Sequence, residues 1–597
     1  MTSIPPKTRS KRAEGAVLSG RPRTACDACR SLKIRCSNDG SSCKRCIRLQ
    51  RQCTWRRSPN NKEGDNGPVS TSNTVLSHLG APLERRHSQS KTDSEIPPPL
   101  LSNLVDEYLA HGFYANLLFH PQLLRDDLAQ DKVDQHVILG MCALASISYA
   151  DASGRNYLVD DGFSYKWADQ ASVLVLSELM SPTENTLVSL INLTLFWYCQ
   201  GHWKRSFVLG LNCIGVIRVL GLEDLVSNNE ASLTAEISRR RLWGALILSI
   251  TSGRDDVLTM TGPVMQALPL PCDDDAFARG EVSLPLLTMT DNGRSPSFFA
   301  EFIRIFNLWQ AVHMFVQDTK LHGDDKSTKM QSLDARLHEW NRNLPSRFLL
   351  TPSNIGSASS VIVAQIVLLH IHFHQCLCVL HSSVVPLFTF GAASDVQPHF
   401  QSVSAQLCFD HANQISSTFE LALDWCTSHA YGFVGYAAYC ATAIQLPFLQ
   451  CSDETISLRA LANIAVNNRV IHGVAKRWRF VAGLEKHIKV LRQYHESYGS
   501  TLADRPVGLP SSQLNESNGS FTRTRASILT HNDLIFSTKS LPDDDNDSQH
   551  LNVDKELEEW LQNQAMFTQH FGDSDYMQCG LLLEPFYLLD DLNVFPS

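Results

Sequence analysis

Residues 26–53 read CDACRSLKIRCSNDGSSCKRCIRLQRQC and hold six cysteines. Their spacing is Cys-x2-Cys-x6-Cys-x6-Cys-x2-Cys-x6-Cys, so that one half is repeated after six intervening residues. Two thiolates at x2 spacing can grip one metal ion from a tight turn, and the x6 arm lets a short helix deliver a third. The sequence therefore predicts zinc ligands at Cys26, Cys29, Cys36, Cys43, Cys46 and Cys53.

The number of thiolates determines how zinc can be bound here. Separate sets of four ligands for two tetrahedral zinc ions would need more sulfurs than these six cysteines supply. Six thiolates can give each zinc ion four ligands if two of the sulfurs are shared between the metals. Cys26 and Cys43, the first cysteine of each half, are the symmetric candidates for sharing. So short a segment has almost no hydrophobic core, and zinc binding, worth about 10–16 kcal/mol near neutral pH, would drive its folding. We expect a small metal-stabilised domain with two zinc ions per chain.

Basic residues are concentrated around this segment. Residues 1–60 contain 15 Lys and Arg against three acids, a net charge of +12, whereas the whole chain carries −9. The bases interleaved with the cysteines include Arg30, Lys33, Arg35, Lys44 and Arg45. Such a pattern is what a phosphate-facing module requires, and a basic head on an acidic body favours a polyanionic partner. The alternatives are a zinc scaffold that binds no nucleic acid and a metal-storage segment.

The stretch from Cys26 to Cys36 closely resembles the DNA-binding motif of the fungal zinc binuclear cluster transcription factors. The resemblance implies a two-helix zinc cluster in which the metals share Cys26 and Cys43. One zinc would be held by Cys26, Cys29, Cys36 and Cys43. The other would be held by Cys26, Cys43, Cys46 and Cys53.

The same resemblance implies how the cluster contacts DNA. A short helix over about residues 27–34 would enter the major groove above a CGG-type triplet, where Lys33 reads the O6 and N7 acceptors of guanine. The remaining basic side chains would mainly contact phosphates, and they are Arg30, Arg35, Lys44 and Arg45. Two features depart from the family pattern: Leu32 stands where many members have a second lysine, and residues 40–42 are Gly-Ser-Ser where many have a proline.

Composition divides the rest of the chain into segments. Residues 1–25 form a basic arm and residues 54–100 a linker rich in Ser, Pro and Gly, both with the composition of disordered chain. Residues 101–498 carry long apolar segments at helical spacing, which predict one large all-α regulatory domain. Residues 499–597 are predicted to be a linker and an acidic, hydrophobic tail. The predicted helices are Leu104–Phe119, Gln135–Ala150, Tyr165–Met180, Asn185–Tyr198, Trp203–Leu220, Leu233–Ser252, Phe299–Gln317, Ser359–His381, Val403–Leu423 and Thr455–Arg477.

Three stretches, within about residues 100–380, resemble the middle regulatory domain of the same family. They are GHWKRSF starting at Gly201, RRRLW at Arg239 and PLPCDDDAF at Pro269. The resemblance implies an all-α domain that regulates activity by contact with a small-molecule effector or a protein. For Arg239 to Arg241 we favour a plainer interpretation, either a solvated helix face or a structural ion-pair site.

Histidines and cysteines between His370 and His381 have the density of a metal site. On a helix, residues two apart point to opposite sides, and only His370, His374 and Cys378 would share a face. The surrounding sequence is strongly apolar, so we interpret these residues as buried side chains with satisfied hydrogen bonds. Polar residues also interrupt the apolar run Val361–Leu380, and we expect no membrane span.

Catalytic signatures are absent from the sequence, which contains no P-loop, HExxH, GxSxG or GxGxxG motif. We therefore expect the protein not to be an enzyme. No apolar signal segment opens the sequence, and the cysteines are expected to be reduced thiols in the cytosol or nucleus. Basic runs at Lys7–Arg12 and Arg21–Arg23 suit nuclear import or further phosphate contacts, so the predicted location is the nucleus.

Oligomeric state and tail leave alternatives open. Residues 58–100 offer only Leu76, Leu79 and Leu83 toward a coiled coil, which needs three or four sustained heptads. Either the helical domain dimerises or a monomer binds DNA, and we favour a homodimer because one base-reading lysine binds weakly. Residues 541–597 hold 13 acids, one lysine and many bulky apolar residues, typical of a segment that binds transcriptional coactivators. A helix docked on the domain is the alternative.

Taken together, the sequence predicts a nuclear, sequence-specific DNA-binding regulator of transcription. We expect an activator of RNA polymerase II genes, which controls a metabolic or secondary-metabolite pathway. The alternative is a zinc-folded protein-interaction scaffold, or a repressor without its own activation function.

Overall fold

Helices make up all the regular structure of the described residues. The computed structural model describes residues 96–515 apart from 113, 151–154, 228–230, 252–262, 292, 319, 390–394 and 499–500, and within these ranges no β-strand occurs. Fourteen described helices have nine residues or more, here numbered α1 to α14. They are Pro98–His111, Pro121–Ala129, Gln135–Ala145, Phe163–Ser177, Glu184–Cys199, Trp203–Leu220, Leu233–Thr251, Phe298–Gln317, Gly323–Arg342, Ser360–Ser382, Pro398–Leu421, Gly432–Gln445, Glu454–Ala475 and Arg479–Tyr498.

Shorter helical turns connect these elements. The short α-helices are Ala115–Leu118, Tyr157–Asp160, Leu222–Ser227, Pro263–Ala267, Asp274–Ala278, Pro352–Ser357, Pro386–Thr389, Leu423–Ser428 and Ser511–Leu514. The 3-10 turns are Ser346–Phe348, Leu446–Gln450 and Pro506–Gly508. The all-helical prediction for this part of the chain is therefore confirmed.

Capping groups explain where several helices begin and end. At the start of α5 the Thr183 hydroxyl accepts from Thr186 N, and the Thr186 hydroxyl accepts from Thr183 N. This capping box satisfies two backbone donors that a helix leaves unpaired. α6 ends at Gly221, whose φ of +60° lies in the left-handed region that glycine adopts without strain.

The helices pack around one large apolar core. α6 packs along α5, and α3 packs on α4 and α5. α11 packs along α10, while α12 and α13 pack on each other and on α11. α8 connects the two groups, because it contacts both α7 and α10. The largest fully buried apolar side chains include Trp197, Trp243, Tyr436 and Tyr439.

Two segments of the fold have the length and apolar composition that a membrane span requires. They are Ser360–Ser382 and Gly432–Gln450, and 67% and 89% of their apolar windows are buried inside the domain. A helix that is apolar on all sides belongs in the core of a large protein as well as in a membrane. The burial of these helices identifies them as core helices of the domain.

One predicted helix is wrong as a single element. In place of Leu104–Phe119 the structure has α1, which ends at His111, and a separate short helix at Ala115–Leu118. The chain turns tightly between them at Gly112. The turn leaves no room for a side chain, because a Cβ atom there would lie 2.4 Å from the carbonyl oxygen of Tyr108. A periodic apolar pattern can continue across such a turn, so periodicity alone did not reveal the break.

Three long helices have no counterpart among the predicted ones: α9, α12 and α14. α9 is polar over most of its length, and its buried residues are Met330, Leu333, Leu337 and Trp340. α12 contains glycines that weaken a helix prediction. The fold requires Gly435, because a Cβ atom there would lie 2.7 Å from a Val481 methyl group.

The described chain continues to pack beyond residue 498, where the sequence places the end of the domain. Leu502, Leu509 and Leu514 are buried in the main core. The amide side chains of Gln401 and Asn515 also exchange two hydrogen bonds of 2.9 Å. Residues 501–515 are therefore part of the helical domain, and the predicted acidic tail at 541–597 lies outside the described residues.

Candidate functional sites

The predicted zinc and DNA contacts lie outside the described residues. The zinc ligands are Cys26, Cys29, Cys36, Cys43, Cys46 and Cys53. The DNA contacts are Arg30, Lys33, Arg35, Lys44 and Arg45. Whether these cysteines suit zinc depends on how readily their thiols ionise, and the buried cysteines of the helical domain provide a comparison.

Ten described cysteines are free, and all of them are buried. Burial raises the pKa of the Cys213 thiol to about 12 and that of Cys272 to about 11. These thiols stay protonated at neutral pH, whereas zinc binds thiolates. The cysteines at 26–53 are instead interleaved with Lys and Arg, which favour the thiolate form. The donor set at 26–53 therefore fits zinc, and the described thiols behave as small apolar side chains.

The RRRLW motif on α7 forms a buried ion-pair network. Glu236 lies one turn earlier and pairs with both Arg239 and Arg240, and none of the three residues is more than 1% exposed. Arg240 Nη2 also donates to Asp274 and to Cys272 O, each at 2.9 Å. The RRRLW and PLPCDDDAF motifs are therefore two halves of one contact.

Asp274 extends this network to the start of α8. Its carboxylate accepts a hydrogen bond of 2.6 Å from Phe298 N and another from the Ser297 hydroxyl. Burial raises the pKa of Asp274, and the adjacent Arg240 guanidinium opposes that shift. Arg241 pairs separately with Glu184 at 2.8 Å. The arrangement joins distant segments of the chain, which confirms the structural ion-pair interpretation.

The GHWKRSF motif forms the corner between α5 and α6. Gly201 has a φ of +77°, a conformation that L side chains rarely adopt. The His202 ring meets Trp197 edge-on at 5.2 Å, and the Arg205 guanidinium lies 4.2 Å from the Trp197 ring centroid. Arg205 also pairs with Asp169 on α4. This motif fixes the packing of three helices.

The histidine-rich helix is α10, and its first histidines contact backbone and rings. His370 Nε2 lies 3.0 Å from Phe348 O. His372 Nδ1 lies 2.8 Å from Leu368 O, and its ring stacks on Phe433 with 3.9 Å between the centroids. These contacts account for two buried histidines without a ligand.

The later histidines of α10 contact α9 and α11. His374 Nδ1 lies 2.9 Å from His411 Nδ1, and His381 Nε2 lies 3.0 Å from the Asp334 carboxylate. Burial lowers the pKa of His411 to about 3, so this ring is neutral at physiological pH. In the described ranges, no group of three or more His, Cys, Asp or Glu side chains has the geometry of a metal site. The histidines are held by contacts within the domain, as the apolar surroundings predicted, although Nδ1 of His381 has no hydrogen-bond partner among the described residues.

A cavity of about 160 Å³ lies between α1, α5, α7, α8, α10 and α12. Aromatic and aliphatic side chains form most of its wall, among them Leu248, Phe302, Phe306, Leu368, Phe433 and Trp478. Its polar lining includes Glu107, Thr194, Tyr198, His429 and Arg477. No sequence motif indicates this cavity, because its lining residues come from separate segments of the chain. The one local feature that could have drawn attention to it is an arginine, Arg477, at the end of a long apolar helical segment.

Comparison with known proteins supports the assignment of the cysteine-rich segment. Residues 24–62 match the family of the fungal Zn(2)-Cys(6) binuclear cluster domain. A transcription factor of Aspergillus fumigatus, sphG, is 39% identical over 89 residues, which are 15% of this chain and 11% of that protein.

Relatives also match the longer part of the chain. The Zn(2)-C6 fungal-type transcription factor FTF1c of Fusarium oxysporum is 24% identical over 466 residues, 70% of this chain and 47% of the relative. An uncharacterised transcriptional regulatory protein of Schizosaccharomyces pombe is 22% identical, over 61% of each chain. The chain spans about half the length of the Fusarium relatives that it matches. No solved structure matches the chain significantly.

Both the cluster segment and the longer alignments point to the same group of proteins, in agreement with the cysteine spacing and the basic residues between the cysteines. Residues 24–62 therefore match the fungal zinc binuclear cluster domain, and the longer part of the chain is similar to Zn(2)-C6 fungal-type transcription factors.

Proposed function

We propose that the protein is a zinc-dependent, sequence-specific DNA-binding regulator of transcription that acts in the nucleus. The observation that carries the proposal is the doubled Cys-x2-Cys-x6-Cys spacing with bases between the cysteines, inside the family match at residues 24–62. The names of the relatives, all transcription factors or transcriptional regulators, support the same function. This function requires no catalytic chemistry, in keeping with the absence of catalytic motifs from the sequence.

In this proposal the six cysteines hold two zinc ions, with Cys26 and Cys43 shared between them. The metals stiffen a short basic helix, which presents Lys33 to the guanine edges of a CGG-type triplet. Arg30, Arg35, Lys44 and Arg45 contact phosphates and set the register of the domain on the duplex. The phosphate contacts release counterions, so the affinity for DNA falls as the salt concentration rises.

The other segments complete the regulator. The acidic, hydrophobic tail at 541–597 binds coactivators and makes the protein an activator of RNA polymerase II genes. A homodimer places two clusters on two half-sites, because one cluster with one base-reading lysine binds weakly. The helical domain receives a small-molecule effector, which fits control of a metabolic or secondary-metabolite pathway.

The test compares two substitutions in the full-length protein, Lys33→Ala and Arg45→Ala. Lys33→Ala is expected to cost about 1–3 kcal/mol on the preferred duplex and to relax the preference for its triplet. The matched control Arg45→Ala removes a phosphate contact, so it weakens specific and random duplexes to a similar extent and lowers the salt dependence. The measurement is selection from a random duplex pool, followed by titration of the selected and random duplexes.

The outcomes separate the proposal from its alternative. Equal losses for Lys33→Ala on selected and random duplexes would refute the role of Lys33. If the zinc-loaded protein selects no sequence and shows no salt-dependent affinity for DNA, it is a zinc-folded interaction scaffold instead.

A further inference from the structure

The cavity between α1, α5, α7, α8, α10 and α12 has the size and lining of a small-molecule site. Its volume of about 160 Å³ is close to that of an apolar cavity of about 150 Å³ known to admit benzene. Phe302, Phe306 and Phe433 contribute rings to the wall. A cavity of these dimensions therefore admits one aromatic ring with a short chain.

The polar side of the cavity contains a cation without an acidic partner. Arg477, which follows α13, donates to Thr427 O and Ala430 O over 3.4 and 3.3 Å, and it makes no ion pair with any described residue. Burial lowers the pKa of its guanidinium to about 10. Tyr431 and Cys199 oppose this shift, and no carboxylate contributes to it. The group is still charged at neutral pH, so the cavity wall has a positive charge that an anion could neutralise.

Two hydroxyl groups in the same wall have no hydrogen-bond partner. Thr194 and Tyr198 lie one turn apart on α5, and both line the cavity. Both hydroxyl oxygens are buried, and neither has a hydrogen-bond partner within the described residues. A buried hydroxyl without a partner costs about 1–3 kcal/mol, a cost that a ligand with acceptor atoms would remove.

The nearby titratable groups also matter for the charge of a ligand. His429 stacks on His111 with 4.4 Å between the ring centroids, and Arg477 and His111 both help burial to lower the pKa of His429. Among the residues that line the cavity, Glu107 is the one with a carboxylate. Burial raises the pKa of this carboxylate, and His111, not Arg477, opposes the shift. The carboxylate of Glu107 therefore interacts with His111 rather than with Arg477.

We propose that this cavity binds a small aromatic monocarboxylate, with its ring among Phe302, Phe306 and Phe433 and its carboxylate at Arg477, Tyr198 and Thr194. One guanidinium and two hydroxyls match the two oxygens of a carboxylate, whereas a phosphate would need more charge and more donors. This inference rests on the proposed function in one respect: the bound carboxylate would be the small-molecule effector of the helical domain.

The experiment is calorimetric titration of the full-length protein, without DNA, using phenylacetate, 3-phenylpropionate and their primary amides. At least one acid is expected to bind about tenfold more tightly than its amide, because only the acid neutralises Arg477. The variant Arg477→Gln is expected to bind the acid and the amide equally.

Tyr198→Phe keeps the test valid if Arg477→Gln fails to fold. Removing an unpartnered hydroxyl leaves the melting temperature of the free protein unchanged or higher, yet it weakens acid binding about tenfold. The matched control is Tyr165→Phe, whose hydroxyl donates to Gln200 over 2.7 Å and does not line the cavity. This control loses stability but retains the affinity for the acid.

Three results would overturn the proposal: no acid binding up to about 10 mM, equal binding of acids and amides by the unsubstituted protein, or equal affinities of the two tyrosine variants. Because DNA is absent from the titration, these results leave the proposed DNA binding intact. Failure of DNA binding would in turn leave the titration unaffected.

Discussion

The guanidinium of Arg240 joins parts of the chain that are far apart in sequence. It pairs with Glu236 on its own helix, with Asp274 more than thirty residues later, and with the carbonyl of Cys272 between them. Its pKa is raised by Asp274 and Glu236, which outweigh the opposing effect of burial. A buried charge with this many partners is stable only while all of them are present.

We therefore predict that Arg240→Ala lowers the free energy of unfolding by about 3–5 kcal/mol, since it removes the arginine partner of the buried Asp274 and one of the two arginine partners of Glu236. The control is Arg279→Ala, whose pair with Glu281 has both side chains more than half exposed. That change should cost less than about 1 kcal/mol. Urea unfolding of both variants measures the difference, and equal costs would show that the buried network does not hold these segments together.

Single residues also show how far sequence reasoning extends. The spacing of Cys26 to Cys53 predicts its metal chemistry because the predicted ligands are close together in sequence. The ion-pair role of Arg240 was one of two interpretations, because its partners at Cys272 and Asp274 are reached only through the fold. Arg477 was not identified as part of a site, because an arginine at the end of an apolar helical segment does not by itself indicate a cavity.

At the scale of elements, α10 and α11 bury histidines in a neutral form. Burial lowers the pKa of His370 to about 4 and that of His411 to about 3, and it places the pKa of His374 well below its ordinary value. In the unfolded chain these groups take up protons near pH 6.5. Between that pH and about 4, the unfolded state therefore binds more protons than the folded state.

The consequence is a domain that loses stability as the pH falls below 6.5. Each such histidine contributes a loss of up to about 1.4 kcal/mol per pH unit. Urea unfolding at several pH values from about 7.5 to about 5, which covers the upper part of that window, should show the fall, and His370→Gln should reduce its slope. The control His322→Gln, at a side chain that is 75% exposed, should change the slope less than His370→Gln does. A stability independent of pH across this range would contradict the buried neutral state.

Sequence patterns identified most of the long helices, among them α6, but missed α9, α12 and α14. α6 has the bounds that its apolar spacing predicts, Trp203–Leu220, and Gly221 ends it. α9 is too polar to be recognised by an apolar stripe, since few of its residues are buried. α12 is apolar throughout, so its sequence has no polar face that would indicate a helix. Its glycine at 435 is required by close packing against Val481, which no local sequence pattern indicates.

At the scale of the whole molecule, the chain combines two chemistries. The head has few apolar residues, a net charge of +12 over residues 1–60, and cysteines whose spacing predicts metal binding. The helical domain has one large apolar core, and its described cysteines are all buried. Zinc should therefore be required for the fold of the head and not for that of the helical domain.

The most direct test of the central claim is the zinc content of the purified full-length protein, measured by mass spectrometry of the metal. We predict two zinc ions per chain. Cys43→Ser, which removes a sulfur predicted to be shared, should lower the content to less than about one, while Cys451→Ser in the helical domain should retain both. A content well below two in the unsubstituted protein, or an unchanged content in Cys43→Ser, would contradict the two-zinc cluster on which the proposed DNA recognition depends.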